Sequence, residues 1–271
     1  MNSMRKLLIL LLIIFSLVLY LQAKNYTCFD VVGDSISAGV NPDDGHYGWV
    51  HMLFGEGDPP KENTIDDLFP GIAKHNSAVS GSTAQQWAST SSSYMETVLN
   101  HHPDLVAVYI GGNDFLWDYC IDGQFTQAEI DEYTNNLRTI INKLQSNTPR
   151  PDIFLITYYD LFDGESENLP SPFEHYRIVS EGTIIGDSII AQVASEKGCY
   201  LVDIYDDFMY HCYGVDIISS THYSPDYVDR PLIPNFNIHP NTAGHNKIYE
   251  EVFAKLQQLS ETFSPSWQLY D

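Results

Sequence analysis

The chain has 271 residues, 44% of them hydrophobic, and a formal net charge of -23. That length and apolar content suit one α/β domain with a sizeable core and exclude a disordered chain. The charge repels phosphate backbones, which excludes nucleic-acid partners, and it disfavours anionic membranes and strongly anionic substrates.

At the N-terminus, Arg5 and Lys6 precede an almost unbroken apolar run from Leu7 to Leu21, and Gln22-Ala23 offers a cleavage site. This is the plan of a secretory signal peptide over residues 1–23, with an uncleaved N-terminal membrane anchor as the alternative. The run is short for a full span. Either way the chain from about Lys24 works outside the cytoplasm, secreted or held in the periplasm or at the cell surface. No second apolar segment is long enough to cross a bilayer, so residues 24–271 are expected to form one domain not inserted in a membrane. Asn25-Tyr26-Thr27 fits a glycosylation acceptor pattern.

Further along, the pattern alternates strands with helices. Phe29 to Gly33 predicts a first strand, and His46 to Phe54 a short helix followed by a loop over Gly55 to Ile72. Ala73 to Val79 predicts a second strand, and Thr83 to Asn100 a helix weakened by the run Ser89 to Ser93. Leu105 to Ile110 predicts a third strand stopped by Gly111-Gly112, and Thr126 to Gln145 an amphipathic helix. Its apolar stripe is Ile130, Tyr133, Leu137, Ile140, Ile141 and Leu144. Ile153 to Tyr158 and Tyr200 to Ile204 complete the strands, with Phe173 to Lys197 mostly helical between them. A last helix runs from Ala243 to about Leu259. Strands separated by helices mean βαβ units and a mainly parallel sheet. The long irregular stretches Asn41 to Ile72, Leu116 to Gln124, Leu161 to Pro172 and Tyr205 to Phe236 are the natural walls of a pocket.

The residues that carry chemistry fall at strand ends. Ser35, in Gly33-Asp34-Ser35-Ile36-Ser37, follows the first strand, where a side chain is delivered to the top of a sheet. A serine hydroxyl becomes a nucleophile only with a base in hydrogen-bond reach, and His239 can be that base. Taken singly, Ser35 reads equally as a helix N-cap and His239 as a solvated loop residue. Gly81 in Ser80-Gly81-Ser82-Thr83 and Asn113 in Gly111-Gly112-Asn113-Asp114 follow the next two strands. A backbone N–H at Gly81 and the amide of Asn113 can join the Ser35 N–H as donors to an oxyanion. Alone, Gly81 is a turn glycine and Asn113 an Asx turn; their shared position after successive strands is what speaks for a site.

These blocks, with Asn237-Ile238-His239-Pro240-Asn241-Thr242-Ala243-Gly244-His245, stand in the same order as those of the GDSL lipases and esterases of the SGNH hydrolase superfamily, which the chain resembles over nearly its whole mature length. The resemblance implies a flavodoxin-like α/β/α sandwich around a mainly parallel five-stranded sheet. It also implies a carboxylic ester hydrolase that needs no cofactor or metal, with catalytic residues Ser35, Gly81, Asn113 and His239. The family usually has an aspartate three residues before the histidine; here that position is Phe236, followed by Asn237. The group that orients His239 is therefore sought among Asp226, Asp229, Asn237 and a backbone carbonyl.

Asp34 and Asp114 are expected to organise loops, and His245 to be a capping or surface residue. Trp49, Trp87, Trp117, Tyr119, Tyr158 and Tyr159 lie in or near the rim segments, where aromatics suit sugar rings and acyl chains alike. The absence of an apolar lid helix or a basic headgroup patch favours short-chain acyl esters, with acetylated carbohydrates among them. The competing readings are a lysophospholipase or lipase of the same family, a catalytically weak carbohydrate-binding relative, and a calcium protein built on Asp203, Asp206 and Asp207. Cys28, Cys120, Cys199 and Cys212 allow two disulfides in an exported chain, and a Cys120–Cys212 bond would brace the rim. Oligomeric state has no sequence signal.

Overall fold

A computed structural model describes residues 25–40, 47–57, 60–119, 123–169, 171, 173–212, 227–228 and 238–262, without the side chains of 116–118. The segment 1–23 and Cys120 lie outside the described residues. So do Asp226, Asp229, Phe236 and Asn237.

The sheet has five parallel strands in the order β2-β1-β3-β4-β5: β1 Cys28–Gly33, β2 Ala73–Lys74, β3 Leu105–Tyr109, β4 Asp152–Ile156 and β5 Tyr200–Val202. All residues of β1 and β3 are buried, as central parallel strands covered on both faces must be. Helices α1 Trp49–Phe54, α2 Ile65–Leu68 and α8 Thr242–Thr262 pack against one another. A second group is formed by α3 Ala84–Ala88, α5 Gln127–Gln145 and α6 Val179–Lys197, while α4 Ser93–His101 contacts β1 and α7 Tyr205–Phe208 follows β5. The result is the expected three-layer α/β/α sandwich, with the crossing pattern of a flavodoxin-like sheet.

The local chemistry explains where the elements stop. Helix α5 begins at a reciprocal cap: the Thr126 hydroxyl accepts from Glu129 N–H at 3.3 Å, and Glu129 Oε2 accepts from Thr126 N–H at 2.7 Å. Tyr133, Leu137, Ile140, Ile141 and Leu144 of its predicted stripe are buried, and Ile130 is partly so. The serine run splits the predicted 83–100 helix into α3 and α4. Ser89 leaves the helical region at ψ 141°, and its hydroxyl accepts from Ser91 N–H at 3.3 Å.

The second strand is shorter than predicted. Extended chain continues to Val79, and His75, Ser77 and Val79 each donate to β1 carbonyls at 2.9, 3.2 and 2.9 Å. The return bond is diverted, because Asp30 Oδ1 accepts from Val31 N–H at 2.7 Å, the group that should complete the ladder. That buried carboxylate is held by His101 Nδ1 at 2.7 Å and by the Ser77 hydroxyl at 3.1 Å. Short helical pieces lie in stretches predicted to be irregular: α2, α7 and a 3-10 turn at Ser166–Asn168, and a π-helical turn at Asp114–Tyr119 runs into a further one.

No disulfide is formed among the described cysteines, and the expected Cys120–Cys212 bond involves a cysteine outside the described residues. Cys28, Cys199 and Cys212 are free thiols. Cys28 opens β1 and Cys199 precedes β5, three strand spacings away, roughly 14 Å. A disulfide needs Cα atoms within about 7 Å.

Candidate active site

Ser35 and Asn113 sit on the turns after β1 and β3, the pair of strands between which this sheet reverses its order. In doubly wound sheets that reversal opens a crevice at the carboxyl ends of the strands. A cleft of about 600 Å³, its open mouth included, lies here, and Ser35, Asn113 and His239 all line it. His239 Nε2 is 2.8 Å from Ser35 Oγ, although the two are 204 residues apart in sequence. Burial holds the His239 imidazole below its ordinary pKa, so it is neutral and able to accept a proton at pH 7.

The turns are laced together. Ser82 Oγ donates to Gly33 O at 3.1 Å, and Trp87 Nε1 donates to the same hydroxyl at 2.9 Å. Asn113 Nδ2 donates to Ser82 O at 2.9 Å, which fixes the amide plane and leaves its second proton for another acceptor. Asp114 accepts from Ala84 N–H at 3.0 Å at the start of α3. Asp34 accepts from Ile36 N–H at 3.0 Å and from the Tyr158 hydroxyl at 2.8 Å; burial pushes its pKa up to about 6. Both aspartates thus tie one loop to another.

Two glycines have steric reasons. Gly111 is at φ +139°, and a Cβ there would meet the Tyr133 hydroxyl at 2.5 Å, the group that donates to Ile110 O. Gly81 is at φ +79°, left-handed backbone that glycine adopts without cost. Gly81 is exposed on the loop beside Ser82 and does not line the cleft, so the structure brings together Ser35, Asn113 and His239 but leaves Gly81 on the adjoining loop.

His245 is not at the surface. It is fully buried, its Nδ1 accepts from Trp49 N–H at 3.3 Å, and its Nε2 therefore carries the proton given to Val40 O at 3.1 Å. Val40 N–H in turn donates to Ser35 O at 3.0 Å, so His245 anchors the far end of the Ser35 turn to α1 and α8. Burial drops its pKa to about 4, which keeps this bridging tautomer neutral.

Of the rim aromatics, Tyr158 and Tyr159 line the cleft, whereas Trp49 and Trp87 are fully buried core. The Tyr159 hydroxyl donates to Ile238 O at 2.7 Å and so fixes the residue before His239. Two of the three acids weighed as calcium ligands have other partners: Asp207 pairs with Lys247 at 2.8 Å, and Asp203 accepts from the Thr157 hydroxyl at 3.0 Å. Asp187, within α6, lines the cleft with no motif to announce it; only the helix's packing turns it inward.

An α/β sandwich with a serine and a histidine in contact at its switch point is an arrangement suited to acyl transfer. Residues 31–247 match the GDSL-like Lipase/Acylhydrolase family, and the chain belongs to it. It is accordingly a carboxylic ester hydrolase. No curated protein matches the sequence. Among solved structures, the fold is shared with an acetylxylan esterase from Geobacillus stearothermophilus at 19% identity and TM-score 0.56, over 87% of this chain and 96% of that one. It is shared too with an α/β hydrolase from the metagenome of Lake Arreo, Spain (22%, TM-score 0.57, 86% and 96% covered). An extracellular lipase from Streptomyces rimosus is a third (16%, TM-score 0.55, 84% and 99% covered).

Proposed function

We propose that this chain is an exported serine ester hydrolase acting on short-chain acyl esters, with Ser35 as nucleophile and His239 as general base. The observation that carries it is the 2.8 Å contact between Ser35 Oγ and His239 Nε2 at the wall of the cleft. Ser35 Oγ attacks the acyl carbon while its proton passes to His239 Nε2. The oxyanion is held by the N–H of Ser35 and by the amide of Asn113, both at the cleft wall; the Gly81 N–H, expected from the family blocks, stands on the adjoining loop outside it. His239 then protonates the departing alcohol, and water, deprotonated by the same imidazole, releases the acid. Export rests on the basic start and apolar run of residues 5–21.

Acetylated carbohydrate is the favoured substrate class, in keeping with the acetylxylan esterase of like fold. A second reading, acyl chains of several carbons, is favoured by the apolar side chains of Ile36, Phe115, Leu161, Val179 and Ile238 in the cleft. Hydrolysis of p-nitrophenyl acetate, butyrate and octanoate tests both. Turnover falling with chain length supports the small acyl group; turnover rising to octanoate replaces it with the lipase reading; absence of turnover on all three overturns the proposal.

Asn113→Ala is expected to lower kcat by about 10²–10³-fold with little change in KM, the effect of losing one oxyanion donor. Unchanged kcat would remove Asn113 from the hole.

The pH profile carries a sign. A protonated His239 cannot take the Ser35 proton, so activity is complete above the imidazole pKa and lost as pH falls through it. Because burial lowers that pKa from the ordinary 6.5, the acid limb of kcat/KM is expected to have its midpoint below pH 6.5. Asp34 titrates at about 6 in the same range, and the Asp34→Asn variant separates the two limbs. A midpoint above 6.5 would instead reveal a carboxylate partner that raises His239 and outweighs its burial.

A further inference from the structure

Among the described residues, the polar side chains in the wall of the cleft other than Ser35, Asn113 and His239 are spent inside the protein, with one exception. Thr183 Oγ1 donates to Val179 O at 3.0 Å, the Tyr158 hydroxyl to Asp34 Oδ2 at 2.8 Å, and the Tyr159 hydroxyl to Ile238 O at 2.7 Å. Asp187 stands among them on α6, one turn after Thr183. Its Oδ1 accepts from Tyr158 N–H at 2.7 Å. Its Oδ2 is buried and has no hydrogen-bond partner among the described residues, although Asp187 itself lines the cleft. Buried polar atoms are almost always paired, and a lone one in a ligand cleft is a group left for the ligand.

The proton state sharpens this. Burial, with Asp203 and Asp160 nearby, pushes the Asp187 carboxyl up to about 8, so it is mostly a neutral acid at pH 7. A neutral carboxyl both donates and accepts, and a hydroxyl does the same. A wholly apolar substrate leaves Oδ2 orphaned and loses that bond.

We propose that Asp187 is a specificity-determining residue whose carboxyl hydrogen-bonds a hydroxyl group on the part of the ester seated in the cleft. The proposal rests on the Ser35–His239 reading of the site and deepens it. The hydroxyl can belong to the acyl part, as in a hydroxy-acid ester, or to the alcohol part, as in a polyol or sugar ester.

Two pairs of esters distinguish these sources. The acyl pair is p-nitrophenyl β-hydroxybutyrate against p-nitrophenyl butyrate; the alcohol pair is hydroxyethyl butyrate against propyl butyrate. In the wild type, kcat/KM is expected to favour the hydroxylated member of one pair by about tenfold or more. Asp187→Asn keeps an acceptor for Tyr158 N–H and a donor for the substrate, and is expected to retain most of the preference. Asp187→Leu is expected to bring the ratio to about one. A merely structural role would slow both members of a pair alike and leave the ratio unmoved. The proposal is overturned by a ratio near one in both pairs for the wild type, or by a preference that survives Asp187→Leu. Failure of the catalytic reading shows separately, as butyrate hydrolysis that persists in Ser35→Ala. Titrating Ser35→Ala protein with the same esters reads the same ratio as Kd, without turnover.

Discussion

Ser35→Ala is expected to lower kcat/KM for p-nitrophenyl butyrate by at least about 10⁴-fold and to leave the fold unchanged. The loss is large because the one heavy atom removed is the hydroxyl oxygen, which is in contact with His239 Nε2. The fold survives because the Ser35 turn is held by backbone and by neighbours. Val40 N–H donates to Ser35 O, Ala38 N–H donates to Asp34 O at 2.9 Å, and Asp34 accepts from Ile36 N–H. His239→Ala is expected to cost a similar factor, and the double variant little more than either, since base and nucleophile act as a unit. Steady-state kinetics of the three proteins, with circular dichroism to check folding, decides it. Residual activity above about a tenth of wild type in Ser35→Ala would move the nucleophile elsewhere.

Trp87→Ala is expected to destabilise the protein by about 3–5 kcal/mol, the range for emptying a fully buried aromatic site. Trp87 is fully buried on α3, and it touches the site through one atom: Nε1 donates to Ser82 Oγ. The same hydroxyl donates to Gly33 O, and Ser82 O accepts from Asn113. Losing the indole therefore empties core volume and releases the loop that carries Gly81. Trp87→Phe separates the two consequences, because it refills part of the volume without restoring the hydrogen bond. Urea unfolding is expected to show most of the stability regained, at a residual cost of about 1–2 kcal/mol. If the Ser82 link matters to the oxyanion loop, kcat stays depressed in Trp87→Phe while KM changes little. A kcat fully restored with the core would make Trp87 a packing residue alone.

How much of this was legible in the sequence follows the range of the interactions. The buried strands announced themselves as short apolar runs, since a strand covered on both faces has no polar side. The start of α5 at Thr126 and the break at Ser89 were legible because they depend on residues within three or four positions. The sequence overstated β2, because an aspartate inside β1 takes a hydrogen bond the ladder needs. It misread His245, because nothing local shows that Trp49 and Val40 converge on that imidazole. It expected disulfides from the number and compartment of the cysteines, whereas strand order keeps Cys28 and Cys199 apart.

The sequence by itself determined the alternation of strands and helices, the family, and the residue types available for ester chemistry. Each is written in neighbouring residues, or in blocks that keep their order along the chain. Only the tertiary structure decided that Ser35 and His239 are in contact, that Asn113 presents its amide from a loop tied to Ser82, and that Asp187 enters the cleft from the middle of a helix. Those placements depend on which strands are neighbours and on how α6 packs across their ends. Strand order and helix packing are set by burial summed over the whole core, which no local stretch of sequence records.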